Sequence, residues 1–213
     1  MTSDGPLALD DPRVLFACAV RTTTDVLGAV RTEQLDDPTP CDAFDVRQLL
    51  GHLVGVLHRV ARLGRNEDPF AGGDVEAPGD DWSGAWAAAA HEVQAAWTDP
   101  SVLARPMALP WQQGTGAEIL AGFLSELTVH TWDLATATVQ EPVWDDDVVR
   151  AASATSVGLP AEGRLELFER ISREMGFDEV AIPFADAVAV PDDALAIDRL
   201  VAWNGRRPSP PRP

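Results

Sequence analysis

The chain has 213 residues, of which 46% are apolar, so it is long enough for one domain with an appendage or for two small domains. Its formal net charge of −18 repels phosphate backbones and anionic lipid surfaces, which disfavours nucleic-acid and membrane partners. No apolar run is long enough to span a membrane, and the acidic N-terminus lacks a signal-peptide pattern. We therefore expect a globular, cytoplasmic protein.

Two long helices are predicted in the first third of the chain. Asp11 followed by Pro12 is a favourable N-cap and first helical residue, and the helix that they begin runs to residue 30. After a turn-rich stretch, Asp45 and Gln48 have the spacing of a capping box, which predicts a second helix over residues 46–63. The Gly-, Pro- and Asp-rich residues 64–80 predict a loop.

Two further long helices are predicted over residues 82–97 and 117–137, with a Pro-bounded connection between them. Shorter helices are predicted over residues 145–157 and 193–203, and residues 178–191 alternate like a short extended segment. This pattern predicts an all-α protein, a four-helix bundle with crossover loops and a small C-terminal helical appendage. We place the bundle in residues 1–158 and the appendage, with a disordered Pro/Arg tail, in residues 159–213.

The fourth predicted helix carries the most informative pattern. Glu126 and His130 lie four residues apart, so one helical face presents both side chains to the same point. Ile119 and Phe123 fall on the same side at helical spacing, which makes this face apolar. Because an unpaired buried charge is costly, both side chains need partners, and a bound metal ion satisfies both. A buried ion pair or a hydrogen-bonded core histidine is the alternative.

The remaining histidines differ in helical phase. His91 lies opposite the tryptophan stripe of its helix, so we expect it in solvent. On the second helix, His52 and His58 border the apolar arc at opposite edges, and phase favours His52 without deciding between them. Two imidazoles and a carboxylate on facing helices leave coordination positions open, which is typical of a catalytic zinc site. Asp133 or a backbone carbonyl would orient a ligand imidazole by accepting a hydrogen bond from the ring nitrogen that does not bind the metal.

Three stretches of the chain resemble a known family. Residues 39–53 read TPCDAFDVRQLLGHL and residues 126–135 read ELTVHTWDLA. Together they resemble the two signatures of the actinobacterial branch of the DinB-like superfamily, which contains the mycothiol-dependent maleylpyruvate isomerases. Residues 191–208 are similar to the tail of an uncharacterised metal-binding subgroup.

The resemblance implies that a divalent metal is held by His52, Glu126 and His130. Zinc suits such ligands, and nickel, manganese and iron also accept them. It further implies a metal-dependent enzyme, a transferase or isomerase, that activates a low-molecular-weight thiol such as mycothiol toward a small electrophilic substrate. The alternatives are a non-catalytic metal-binding protein with a structural or ligand-sensing role, and a plain helical interaction module.

Departures from the family pattern and two residues near the motifs give further expectations. Val139 replaces the usual Gly after the fourth helix, and a β-branched residue resists the left-handed conformation, so we expect that helix end to differ. Cys41 precedes the second helix and is not expected to bind metal. Arg206 has a recurring tail position, where it would contact an anionic substrate or remain an exposed tail residue.

Overall fold

The computed structural model describes residues 11–71, 75, 77–156, 158, 160–175 and 184–208. In this part of the chain there are seven α-helices and one antiparallel hairpin. None of the described helices is both long and apolar enough to cross a membrane. The elements, in chain order, are α1 (Pro12–Gly28), α2 (Val46–Arg65), α3 (Trp82–Ala96), β1 (Pro106–Leu109), β2 (Gln112–Thr115), α4 (Gly116–Ala137), α5 (Asp146–Ser156), α6 (Arg164–Met175) and α7 (Ala196–Trp203).

The first four helices form the predicted bundle. Helix α1 packs on α3 and α4, and helix α2 packs on the same two neighbours, so α1 and α2 occupy opposite corners. The connection over residues 29–45 therefore crosses the end of the bundle. The prediction of an all-α four-helix bundle with crossover loops is confirmed.

Helix α2 begins where its capping box predicted. The Asp45 carboxylate accepts a hydrogen bond from the Gln48 N–H at 2.8 Å, and the Gln48 side chain accepts one from the Asp45 N–H at 2.9 Å. The apolar stripe of α2 then packs inside the bundle, with Leu49 and Leu53 fully buried. This packing sets the rotation of α2 and hence the direction of His52.

Three features in the middle and at the end of the chain differ from the prediction. Residues 106–115, expected as a plain connection, form the hairpin of β1 and β2, with Trp111 at its turn. Helix α6 was not predicted, and α7 begins at Ala196, a little later than expected. The predicted extended segment over residues 178–191 lies partly outside the described residues, as does the end of the tail.

A buried arginine holds parts of the C-terminal segment to one another. Arg164 is 0% exposed, and its guanidinium donates hydrogen bonds to the carbonyl oxygens of Ala185 and Trp203 at 2.8 and 2.6 Å. Asp186 accepts hydrogen bonds from the backbone N–H groups that begin α6. Helix α7 packs on α5 and α4, which brings residue 206 to the centre of the molecule. The division of the chain at residue 158 stays a prediction.

The end of α4 contradicts the expectation for Val139. Its φ is 57°, the left-handed conformation that glycine usually supplies. The Gln140 N–H donates to the Ala135 carbonyl at 2.8 Å and the Val139 N–H to the Thr136 carbonyl, the two bonds of a Schellman motif. The Gln140 side chain also donates to the Val26 carbonyl of α1 at 3.0 Å. The helix therefore keeps the family's ending, and tertiary contacts hold Val139 in a strained conformation.

Candidate metal centre

Helices α2 and α4 bring three predicted ligands together. His52 Nε2 lies 3.2 Å from Glu126 Oε1, and the His52 and His130 ring centroids are 4.8 Å apart. Each of the three side chains offers one ligand atom, and these atoms all lie within 4.8 Å of one another. We call His52, Glu126 and His130 the ligand cluster.

Aromatic rings hold both imidazoles of the ligand cluster. Phe44, just before α2, stacks on His52 with centroids 4.8 Å apart. Phe184, from the C-terminal segment, stacks on His130 with centroids 5.6 Å apart. Each imidazole therefore has one face covered, which limits its rotation and excludes water from that side.

Among the described residues, the inward nitrogen of His130 has no hydrogen-bond partner, and that of His52 has only its ion pair with Glu126. His52 Nε2 and His130 Nε2 are buried, and neither makes a hydrogen bond. The Glu126 carboxylate is close to His52 Nε2, but the two groups are not aligned for a hydrogen bond. Buried polar atoms are rarely left unsatisfied, and each exception needs an explanation. Two imidazole nitrogens and a carboxylate oxygen fit a divalent cation.

The cluster's electrostatics favour the protonation states that a metal requires. Burial opposes ionisation of Glu126, but neighbouring His52, Arg59 and His130 outweigh it and lower the pKa of Glu126 to about 2. Burial lowers the pKa of His130 to about 4, although its bond to Asp133 acts in the opposite direction. At neutral pH, Glu126 is therefore a carboxylate and His130 a neutral imidazole, the forms that coordinate metals.

The other nitrogen of His130 is held by a buried ion pair. Asp133 Oδ2 lies 3.0 Å from His130 Nδ1, and the Arg206 guanidinium donates to the same carboxylate at 3.0 Å from Nε and 2.6 Å from Nη2. Burial opposes ionisation of Asp133, but hydrogen bonds from His130 and Arg206 outweigh it and lower its pKa. An ionised Asp133 accepts a hydrogen bond from the Nδ1–H of His130, which leaves the Nε2 lone pair free to face the ligand cluster.

Arg206 is not an exposed tail residue. Its side chain is 3% exposed and lies under the ring of Phe184, with Cζ 5.6 Å from the ring centroid. The alternative of a solvent-exposed arginine is therefore wrong, because the C-terminal segment folds back onto α4. Contact between Arg206 and an anionic substrate stays a prediction.

The remaining histidines and cysteines lie outside the ligand cluster. His58 faces Glu92 of α3, with Nδ1 and Oε2 3.7 Å apart, and His91 is exposed as expected. Cys41 is buried, which raises the pKa of its thiol, and its sulfur lies within 4.8 Å of the ligand atoms of His130 and Asp133. The Asp133 carboxylate is already bound by Arg206, so this second grouping offers a weaker set of donors than the ligand cluster.

Comparison with known proteins agrees with this architecture. The family model described as the mycothiol maleylpyruvate isomerase N-terminal domain matches residues 16–135, more than half of the chain. The chain belongs to this family. The matched region begins within α1, ends in α4 and contains the whole ligand cluster and Asp133, whereas Arg206 and Phe184 lie beyond it.

Curated relatives match over nearly the whole chain. An uncharacterized protein found in two strains of Mycobacterium tuberculosis is 29% identical over 200 residues, which is 92% of this chain and 98% of that protein. No solved structure gives a significant match.

Sequence reasoning missed two side chains beside the ligand cluster. Phe184 carries no local signal, since only the return of the C-terminal segment places it on His130. Arg59 could have been found from its spacing. It follows His52 by seven residues and so lies on nearly the same face of α2. Its positive charge is one of those that lower the pKa of Glu126.

Proposed function

We propose that the protein binds a divalent metal ion, zinc most readily, through His52, Glu126 and His130. The observation that carries this proposal is that two buried Nε2 atoms without a hydrogen bond and the Glu126 carboxylate offer ligand atoms within 4.8 Å of one another. Among the described residues, three protein donors converge here, so a bound ion keeps open coordination positions. Asp133 and Arg206 would hold His130 in the orientation that binding needs.

We further propose that the protein is an enzyme that uses a low-molecular-weight thiol, mycothiol by family membership, on a small electrophilic substrate in the cytoplasm. A divalent ion bound at this centre supplies Lewis-acid chemistry that favours the thiolate form of a thiol. Phe44 and Phe184 exclude water beside the imidazoles, and Glu126 lends the negative charge that retains the cation. Such a site could support either transfer of the thiol to the electrophile or isomerisation of the electrophile by reversible addition of the thiol.

Metal analysis tests the first step. We expect the purified wild-type protein to retain a divalent ion and His130→Ala to lose it. His91→Ala is the matched control, because it removes an exposed imidazole and should retain the ion. Equal metal content in all three proteins would remove the ligand cluster from the proposal.

Calorimetric titration with mycothiol tests the second step. The metal-loaded wild-type protein should bind the thiol, and the same protein stripped of metal should not. If the loaded protein binds metal but neither binds mycothiol nor promotes its addition to any electrophile, the non-catalytic alternative replaces the enzyme.

A further inference from the structure

The last described residues of the chain, 184–208, meet helix α4 at the turn that carries a proposed metal ligand. Phe184 stacks on His130 with the ring planes 26° apart, and Arg206 binds the Asp133 carboxylate through two nitrogens. Among the described residues, the hydrogen bonds and ring contacts between this stretch and α4 all end on His130 or Asp133. The attachment to α4 therefore coincides with the metal centre. We call residues 184–208 the C-terminal strap.

The two contacts of the strap with α4 are joined to each other. The Arg206 guanidinium lies 5.6 Å from the centroid of the Phe184 ring, so this ring touches both the imidazole and the guanidinium. Near the start of the strap, the Val188 N–H donates to the Ala202 carbonyl at 2.9 Å, and near its end the Arg206 N–H donates to the Val201 carbonyl at 3.0 Å. Both ends are thus fixed to α7, and we expect the two contacts with α4 to form and break together.

A separate attachment holds the strap to helix α5. The Trp203 indole N–H donates to the Ser156 carbonyl at 2.9 Å, and Leu200 of α7 is buried where the two helices pack. Phe184, by comparison, is only half-buried. Because proteins open locally as well as globally, the strap can leave the turn that carries His130 while α7 stays on α5.

The orientation of one imidazole connects the strap to metal binding. His130 coordinates through Nε2 only when its ring faces the rest of the ligand cluster, and the strap limits the rotation of that ring in two ways. Phe184 covers one face, and Arg206 fixes the Asp133 carboxylate to which Nδ1 donates. A docked strap therefore favours binding of an ion. Thermodynamic reciprocity requires that a bound ion favour the docked strap by the same factor.

We propose that occupation of the ligand cluster and docking of the C-terminal strap are coupled, with Phe184 as the positioning residue between them. The metal-loaded protein keeps the strap closed on His130, and the metal-free protein opens it more often. This coupling rests on the proposed metal site and adds a conformational response to it. The response comes from residues beyond 135, where the match to the family model ends.

Hydrogen–deuterium exchange of the full chain tests the coupling. Zinc should slow exchange of the strap amides that are bonded to α7, those of Val188 and Arg206, by about fivefold or more. Helix α3 packs on α1 and α2 and is the internal reference, because its amides should change less. His130→Ala removes the ligand on which the strap rests, so zinc should have no effect on the strap of this variant.

Substitutions at Phe184 test the reciprocal effect on metal affinity. Phe184→Leu keeps the apolar bulk but loses the ring stack, so we expect it to weaken zinc binding by about three- to tenfold. Phe184→Tyr keeps the ring and should bind zinc like the wild type. Leu195→Ala is the matched control, since it truncates an exposed apolar side chain of the same strap and should also keep the wild-type affinity. Competition with a chromogenic chelator measures the four affinities.

The outcomes separate the coupling from the metal site itself. If the wild type binds zinc through the ligand cluster but the exchange of its strap does not change, the coupling is overturned and the metal site stands. Equal slowing in the strap and in α3 also overturns the coupling, because zinc then stabilises the whole fold. An unchanged zinc affinity in Phe184→Leu has the same consequence. A wild type that binds no zinc ends the proposed function, and the coupling with it.

Discussion

Two groups of buried polar side chains lie within two turns of α4, and they differ in how they are satisfied. In the Asp133–Arg206 pair, the carboxylate accepts three hydrogen bonds, from His130 and from two nitrogens of Arg206. In the ligand cluster, the inward nitrogens of His52 and His130 accept none in the described structure. The same helix therefore carries one group completed by the chain itself and one left open.

This difference in hydrogen bonding indicates that the Asp133–Arg206 pair is part of the structural scaffold and that the ligand cluster is a binding site. A buried carboxylate that already accepts three hydrogen bonds is a poor ligand for a further group, and removal of its partner leaves a charge in an apolar interior. An open cluster of nitrogen and carboxylate donors gains its missing partners only from outside the chain. His130 belongs to both groups, with Nδ1 in the first and Nε2 in the second. Changes to either group should therefore have different signatures.

The largest expected effect is the loss of the scaffold pair. Arg206→Met should lower the free energy of unfolding by about 3–5 kcal/mol, because it leaves the Asp133 carboxylate charged and buried without its main partner. Urea unfolding of the metal-free protein measures this. The double variant Asp133→Asn/Arg206→Met removes both charges and should be more stable than Arg206→Met alone. A single variant within about 1 kcal/mol of the wild type would contradict the scaffold role.

The open cluster should respond to metal instead. A free divalent ion at about 100 times its dissociation constant should stabilise the wild type by about 2.7 kcal/mol, because it binds only the folded state. His52→Ala should remove this gain. His58→Ala, on the same helix but directed at Glu92, should keep it. Thermal unfolding with and without zinc measures all three, and an equal gain in His52→Ala would place the metal elsewhere.

A smaller effect is expected at the end of α4, beyond both groups. Val139→Gly should raise the free energy of unfolding by about 1 kcal/mol, since glycine adopts the left-handed conformation without the Cβ clash. Urea unfolding again measures the change. Val143→Gly is the control, because Val143 is also exposed and its φ is not positive, so no gain is expected. Equal effects at both positions would mean that Val139 is not strained.

The smallest effect concerns the pH dependence of the C-terminal segment. Backbone hydrogen bonds from Arg164 and Gly163 lower the pKa of Asp186 below its ordinary 3.8. A lowered carboxyl pKa stabilises the fold above the ordinary value, and this stability is lost as pH falls through the lowered value. Between about pH 5 and pH 3, Asp186→Asn should therefore lose less stability than the wild type.

The control for Asp186→Asn is Asp192→Asn, which changes an exposed carboxylate without a hydrogen bond among the described residues. It should keep the wild-type slope of unfolding free energy against pH. If Asp186→Asn also keeps that slope, the bonds at the start of α6 do not contribute.

Local signals predicted most of the bundle and three members of its cluster. Capping at Asp45 and the apolar stripe of α2 determine where that helix begins and which way His52 points. The i, i+4 spacing of Glu126 and His130 determines that both share a face. These are properties of a few neighbouring residues, so they can be read directly from the chain. The roles of these residues as ligands stay predictions.

The prediction from sequence failed at elements whose local pattern is weak or is overridden by tertiary contacts. The hairpin is short and carries few β-branched residues, so residues 106–115 resembled a loop. Val139 adopts a left-handed conformation that valine disfavours, because the hydrogen bond from Gln140 to Val26 fixes the turn against α1. Arg59 lies at a helical repeat from His52, but only the folding of the loop after α2 places the ring of Phe70 against it.

By itself, the sequence determined the family, the four bundle helices and the candidate donors, since each depends on residues close together in the chain. Tertiary structure alone decided which of those donors are satisfied. Arg206 lies 73 positions from Asp133, and its burial depends on Arg164 and α7 folding the last segment back onto α4. Hydrogen bonds between residues so far apart in the chain leave no periodic pattern in the sequence. The same contacts that complete Asp133 leave His130 Nε2 directed at an open centre.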